Sequence, residues 1–191
     1  TPGNTRAECL LGTLGLAADG TLTEFAGLDS EALVILPEYL SYSEAASLPC
    51  AALSAWSCLT EGRKSLRAGE TVLVLGSGGV SLFALQLAKA SGARVIATTS
   101  SQAKAERLVA LGADATINYN ASPDWETSVL EITGGVGVDR VVEIGGAGTF
   151  MRSAKCTRVG GTMSCVGFVP GHGGGVDPLG LLQRALSVNF Y

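Results

Sequence analysis

One feature constrains this chain more than any other: an apolar strand that runs directly into a glycine loop and then into an apolar helix. Thr71-Val72-Leu73-Val74-Leu75 is almost continuously apolar. A strand of that kind is covered on both faces, which is typical of a parallel sheet. Gly76-Ser77-Gly78-Gly79 follows. Residues 80–90 are then apolar on nearly all sides, with Gln86 and Lys89 the main exceptions. In a G-x-G-x-x-G loop the first glycine makes a tight turn and the second lets a pyrophosphate approach the backbone. The third lets helix and strand pack closely. Here the first two are present and the third position is Ser81, still a small residue. Such a loop alone is equally an ordinary β–α turn. Its place between a buried strand and a buried helix favours a dinucleotide cradle, with phosphates on the N–H groups at the helix start. The candidate contacts are Gly76, Ser77, Gly78, Gly79 and Val80.

The rest of the chain repeats that rhythm. Strands are expected over 94–98, 115–118, 140–144 and near 162–166, and 186–190 reads as one more strand, cut short. Helices are expected over 102–111, over 124–132 with Ser122 as N-cap and Pro123 first in the helix, and near 150–157. Strands alternating with helices indicate an α/β fold, a Rossmann-type doubly wound parallel sheet. Residues 1–40 read differently. Thr21 to Phe25 alternates weakly after the Asp19-Gly20 turn signal, and Leu33-Val34-Ile35-Leu36 looks like a short strand stopped by Pro37. Ser41-Tyr42-Ser43-Glu44 fits a capping box, which predicts a helix to about Leu48. Pro49 is expected to separate it from a second helix over 51–60.

Composition removes several classes. With 191 residues, 47 % hydrophobic and 16 % charged, the chain suits one full domain, or one domain and part of another. Net charge is −4 and no Lys/Arg run exceeds two neighbours, so no nucleic-acid partner is expected. No apolar run approaches the roughly 20 residues of a membrane helix. The first six residues show no signal-peptide pattern. The five cysteines, at 9, 50, 58, 156 and 165, are odd in number and contain no C-x-x-C. They read as reduced thiols of a cytoplasmic protein, not as a disulfide framework or closed zinc site. No tyrosine has a lysine four residues on, and G-x-S-x-G and P-loop motifs are absent. The single histidine, His172, lies in a glycine-rich loop and reads as solvated.

The second strand ends in Thr98-Thr99-Ser100-Ser101. A site selective for NAD often places an acid here for the ribose 2′-hydroxyl. None is present, and Thr99, Ser100 and Lys104 are candidates to receive the 2′-phosphate of NADP. A plain structural reading is compatible: Ser100 or Ser101 caps the next helix and Lys104 is a solvated charge.

Taken together these residues resemble the medium-chain dehydrogenase/reductase superfamily, which includes zinc alcohol dehydrogenases, quinone oxidoreductases and enoyl reductases. Four stretches carry the resemblance: Asp19 to Phe25; Ala45 through Leu48-Pro49-Cys50-Ala51 to Trp56; Gly69 through the glycine loop to Lys89; and Leu111-Gly112-Ala113-Asp114 to Tyr119, with Gly137-Val138-Asp139 and Val142-Glu143-Ile144-Gly145 after it. The resemblance implies that residues 1–50 are the C-terminal part of a GroES-like β domain. Residues 51–191 would be the Rossmann NAD(P)-binding domain, truncated at its C-terminus. Further segments at both ends are then expected to hold most of the substrate pocket, so the chain alone is expected to turn nothing over.

By the same resemblance Cys50 matches a catalytic zinc ligand of the zinc alcohol dehydrogenases, and a thiolate there suits an open zinc site. Zinc-less subgroups can keep this cysteine, and a small buried residue is an equal reading. Other catalytic residues stay unassigned. Ser54 matches a hydroxyl near the nicotinamide amide. Lys104 and Tyr119 match 2′-phosphate contacts. Ile144 and Gly145 match backbone contacts on the adenosine side, and Gly167 and Phe168 contacts to the nicotinamide. The implied activity is hydride transfer between NADP(H), with NAD an alternative, and a small carbonyl or alcohol, enone or quinone. A full-length member would be a homodimer or homotetramer acting on a small molecule. A non-catalytic NADPH-binding or sensing protein on the same fold is the rival reading.

Overall fold

Six strands build one all-parallel sheet in the order β3-β2-β1-β4-β5-β6. They are β1 (Thr71–Val74), β2 (Arg94–Thr99), β3 (Ala115–Asn118), β4 (Val138–Glu143), β5 (Thr157–Cys165) and β6 (Ser187–Phe190). The structure is a computed structural model that describes residues 13–15, 17–62, 64–167, 175 and 178–191. The helices are α1 (Tyr42–Ala45), α2 (Leu53–Thr60), α3 (Gly79–Ala90), α4 (Gln102–Ala110), α5 (Trp125–Ile132), α6 (Phe150–Cys156) and α7 (Pro178–Gln183). From β1 the chain winds outward to β3, then returns to β4 on the other side of β1. That reversal opens a crevice beyond the carboxyl ends of β1 and β4, where ligands of open α/β sheets bind. This is the doubly wound sheet expected from the sequence.

Alternation along the central strands divides the core in two. Val72, Val74, Val95 and Ala97 pack with Ala84, Leu85 and Ala88 of α3 and Leu108 of α4. Leu73, Ile96, Val141 and Met163 pack on the opposite face with Trp125 and Val129 of α5 and Ala154 and Cys156 of α6. Each large apolar side chain buried this way contributes about 1.5–3 kcal/mol. Strands covered on both faces have no polar side, which is why β1 reads as a continuous apolar run.

Polar groups pin the strand starts. Asp114 Oδ2 accepts from the Val95 N–H at 2.7 Å, and Asp139 Oδ2 from the Thr71 N–H at 2.7 Å. Each acid is also paired with a cation, Asp114 with Lys89 and Asp139 with Arg158. The buried Arg140 donates to the Cys58 carbonyl at 2.7 Å and to the Lys64 carbonyl, tying the end of α2 to β4. Cys58, Cys156 and Cys165 are buried free thiols, and burial pushes each up to about 12. They are therefore unreactive near neutrality.

Contacts divide the chain into a unit ending at Leu40 and a unit from Ser41 to Tyr191. In the first, the two expected strands do not form. Residues 21–25 and 33–36 are irregular, and Val34 and Ile35 are 87 % and 95 % exposed. An extended apolar run becomes a strand only when a partner satisfies its backbone, and among the described residues of this unit none does. In the second unit the capping box forms as expected, Ser41 accepting from Glu44 N–H and Glu44 from Ser41 N–H. The helix it starts is a single turn. Pro49 does not separate two helices. It lies in the first turn of a π-helical stretch, Leu48–Ala52, that continues into α2, where a missing N–H costs nothing. Helix α5 starts at Trp125 with Asp124 as N-cap, later than expected. Strand β5 starts earlier than expected, at Thr157. No helix among the described residues is long and apolar enough to cross a membrane.

Burial alone would raise the Asp114 carboxyl, but hydrogen bonds from Lys89 and the Val95 N–H outweigh it and hold it below the ordinary carboxylate value. The stabilisation is then complete above 3.8 and lost as pH falls through the lower folded value. Asp114→Asn should lower the urea midpoint at neutral pH, and the gap to the parent should close as pH drops below 3.8. A gap independent of pH would show that the carboxylate charge does nothing here.

Candidate cofactor site

The site begins at the turn from β1 to α3. Gly76 has φ 75°, a left-handed conformation suited to glycine, and its N–H donates to Thr98 Oγ1 at 3.1 Å. That bond fixes the loop to the end of β2. A Cβ at Gly76 or Gly78 would meet nothing within 4 Å, so the space in front of the loop is open. Gly78 is the N-cap of α3 and supplies no side-chain cap. The first N–H groups of the helix, with its positive dipole end, are thus left for a ligand. Ser81, at the third glycine position, is fully buried and donates to the Leu75 carbonyl at 2.6 Å. Its hydroxyl replaces the close glycine contact with a hydrogen bond. Gly79 faces another way. A Cβ there would lie 3.2 Å from Ala51 Cβ, so this glycine admits the Leu48–Ala52 stretch. Val80 is half-buried against the core.

Beyond the strand ends lies a cleft of about 370 Å³, within the range of small-molecule sites. Leu75, Pro123, Trp125 and Ile144 give it apolar walls, and Gly76, Gly145, Thr98, Tyr119, Thr149 and Arg152 complete it. Arg152 sits 4.8 Å from the centroid of the Trp125 ring and donates Nε to Glu126 Oε2 at 2.8 Å. Burial raises the Glu126 carboxyl, but the Arg152 hydrogen bond, a backbone hydrogen bond and the charges of Arg152 and Lys155 together outweigh it and hold Glu126 below the ordinary value.

The wall from Gly145 to Thr149 is organised from below by the buried Glu143. Its Oε1 accepts from Gly145 N–H at 2.7 Å, Gly146 N–H at 3.1 Å and Thr149 Oγ1, and its Oε2 from Ser153 Oγ. An acid directly after the buried Val141 and Val142 carried the signal, since a buried charge needs partners. Its task was not assigned from sequence. Nor were Thr149 and Arg152 singled out, because nothing local marks residues that converge only in the folded sheet.

The other candidates are distributed. Ser101, not Ser100, caps α4, accepting from Lys104 N–H at 3.4 Å. Ser100 is half-buried, with its Oγ 3.4 Å from Lys104 Nζ. Thr99 is fully buried, and its Oγ1 has no hydrogen-bond partner. Ile144, Gly145 and Tyr119 line the large cleft with Gly76. Ser77 and Lys104 line a second, smaller crevice. Ser54 and Cys50 line neither; Cys50 is exposed. Among the described residues no three His, Cys, Asp or Glu side chains converge as a metal site. Gly167 lies at the end of β5, where a Cβ would come 2.4 Å from the Ile144 carbonyl oxygen. Phe168 and His172 fall outside the described residues.

The sheet order, the open glycine turn and the cleft at the strand reversal define a dinucleotide-type α/β domain. The family model described as zinc-binding dehydrogenase matches residues 79–189, and the chain belongs to this family, within the medium-chain dehydrogenase/reductase superfamily. A zinc-type alcohol dehydrogenase-like protein of Schizosaccharomyces pombe is 42 % identical over 177 residues, 92 % of this chain and 51 % of the relative. A crystal structure of an NAD-dependent alcohol dehydrogenase superposes with TM-score 0.85 at 40 % identity, covering 93 % of this chain and 51 % of that one. Escherichia coli quinone oxidoreductase complexed with NADPH superposes with TM-score 0.74 at 33 % identity, covering 83 % and 48 %. The chain thus spans about half the length of these relatives.

Gly167→Ala tests how tightly the cleft wall is built. The new methyl meets backbone, not a movable side chain, so β4 and β5 must part at their ends. The expected cost is about 1–3 kcal/mol, read as a lower denaturation midpoint. An unchanged midpoint would mean the two strand ends have room to spare.

Proposed function

We propose that this chain is the cofactor-binding part of an NADP(H)-dependent oxidoreductase that passes a hydride between the nicotinamide and a small carbonyl or alcohol, enone or quinone. The observation that carries the reading is the uncapped start of α3 behind Gly76 and Gly78, opening beside a β2 end that bears no acid. The nicotinamide supplies the hydride chemistry when bound; the protein binds, orients and shields. The N–H groups following Gly78 receive the pyrophosphate. The cleft walled by Leu75, Ile144 and Tyr119 suits adenosine.

Both NADPH-bound and NAD-dependent proteins are among the similar structures, so family membership does not choose the cofactor. The end of β2 favours NADP(H). A carboxylate there would repel a 2′-phosphate, and its absence leaves Lys104 as an attractive charge on the first turn of α4. The described residues do not by themselves form a zinc site.

Titration of the full chain should give NADPH the tighter binding, by roughly ten-fold, as one exposed charge-assisted contact of about 1–2 kcal/mol provides. Lys104→Ala should narrow that ratio. Equal affinities in the parent would leave Lys104 as a solvated helix charge. In the full-length protein, hydride from labelled NADPH should reach an enone or aldehyde of a test panel. Binding with no transfer to any of them would favour a sensor.

A further inference from the structure

Most of the sheet face that packs under α2 is apolar: Val72, Val74 and Val142 share a core with Ala55, Cys58 and Leu59. One corner of that face is polar. Arg140, Thr162 and Ser187 stand opposite one another across β4, β5 and β6, and Ser164 and Asn189 continue the next row from Val142. Partners in register present their side chains to the same face. Arg140 is 2 % exposed and Thr162 8 %, so their polar groups need partners from the protein or from a ligand.

The protein satisfies only part of this corner. The two Nη groups of Arg140 donate to the carbonyls of Cys58 and Lys64, and Ser164 Oγ donates to the Cys58 carbonyl. Arg140 Nε and Asn189 Nδ2 are buried with no partner among the described residues. The Thr162 and Ser187 hydroxyls, also without one, line a cavity of about 260 Å³ with Lys64, Gly160 and Ala185. Nε shares one edge of the guanidinium with Nη2, and Nη2 reaches the carbonyl of Lys64 in the cavity wall. The unpaired donor therefore sits on the cavity side of the guanidinium.

Charge points the same way. A guanidinium keeps its proton when buried, and a buried charge calls for an opposite one. Arg140 is in none of the ion pairs among the described residues, which are Lys89–Asp114, Arg152–Glu126 and Arg158–Asp139. Glu70, the carboxylate whose charge acts on it, accepts instead from the Arg67 N–H at 3.1 Å. No carboxylate lines the cavity. Donors and positive charge are in excess and acceptors are lacking, which suits an anion and neither a cation nor an apolar ligand. At roughly 30 Å³ per water, the space takes several waters or one phosphate-sized group.

We propose that this cavity binds a phosphate-sized oxyanion, free phosphate or the end of a small phosphomonoester, with Arg140 supplying the charge and Thr162 and Ser187 the hydroxyl donors. The site is separate from the cofactor cleft. Arg140 pairs with Val72 near the start of β1, whereas the glycine loop follows the end of that strand. Lys64 is exposed and the site does not depend on its ammonium.

The test is thermal unfolding of the full chain in inorganic phosphate and in glycerol 3-phosphate, against chloride at equal pH and ionic strength. An anion that binds only the folded state raises the midpoint as its concentration rises, and the parent should show this with phosphate. A rise with glycerol 3-phosphate as well identifies a site open to phosphomonoesters; a rise with phosphate alone identifies a site for the free anion. Thr162→Val replaces the hydroxyl with a methyl. In chloride it should hold or raise the midpoint, because an unpartnered buried hydroxyl is removed. In phosphate it should raise the half-saturating concentration by roughly ten-fold. Gly78→Ala, which fills the space in front of the glycine loop, should keep the phosphate response. A parent midpoint that phosphate does not move leaves the cavity to water and overturns the proposal. So does a response that Thr162→Val leaves intact; its loss in Gly78→Ala would then place the anion at the glycine loop.

Discussion

Everything in the site depends on how closely α3 can approach the end of β1. The dinucleotide fold needs a helix to start within one turn of a strand and to point its first N–H groups outward. Ser81 makes that possible by donating to the Leu75 carbonyl, the last acceptor before the loop. Gly79 lets the Leu48–Ala52 stretch press against the same turn from outside. Gly76 folds back onto Thr98. The loop is therefore held on three sides and left open on the fourth.

The second wall is built on a different principle. The β1 turn relies on small residues and one hydroxyl, whereas the turn after β4 is assembled around a buried charge. Glu143 gathers two backbone N–H groups and two hydroxyls. Such a carboxylate is costly to bury and strongly orienting once satisfied. It fixes Gly145 to Thr149 where the cleft needs a rigid edge. Gly167 then lets β5 close against Ile144. Two neighbouring strand ends, one trimmed of side chains and one braced by a charge, frame the crevice that the strand order creates.

The sheet was legible in the sequence because its strands are buried on both faces. β1 and β2 can be read as apolar runs without knowing their partners, and the glycines and serines that follow mark the turns. The capping box at Ser41 was legible for a similarly local reason. Residues 33–36 misled because a local apolar run does not encode whether a partner strand exists. Pro49 misled because a proline that breaks a helix in its interior is tolerated in its first turn. Within the site, the glycine loop announced itself. The meeting of Lys104 and Ser77 did not, since a helix lysine is ordinarily a solvated charge and only the fold brings Ser77 to the same crevice. Arg152 is a similar case: its neighbours Trp125 and Glu126 come from another helix.

The central claim is that the backbone behind Gly76 and Gly78 is the phosphate cradle, and Gly78→Ala tests it most directly. Gly78 has φ −81° and ψ 176°, which alanine adopts without strain, and a methyl there would meet nothing within 4 Å. The free protein should not register the change, while the space a pyrophosphate must enter would be filled. The account predicts an unchanged thermal midpoint together with NADPH binding weakened by more than about ten-fold. A variant that keeps both its midpoint and its full affinity for NADPH would contradict it.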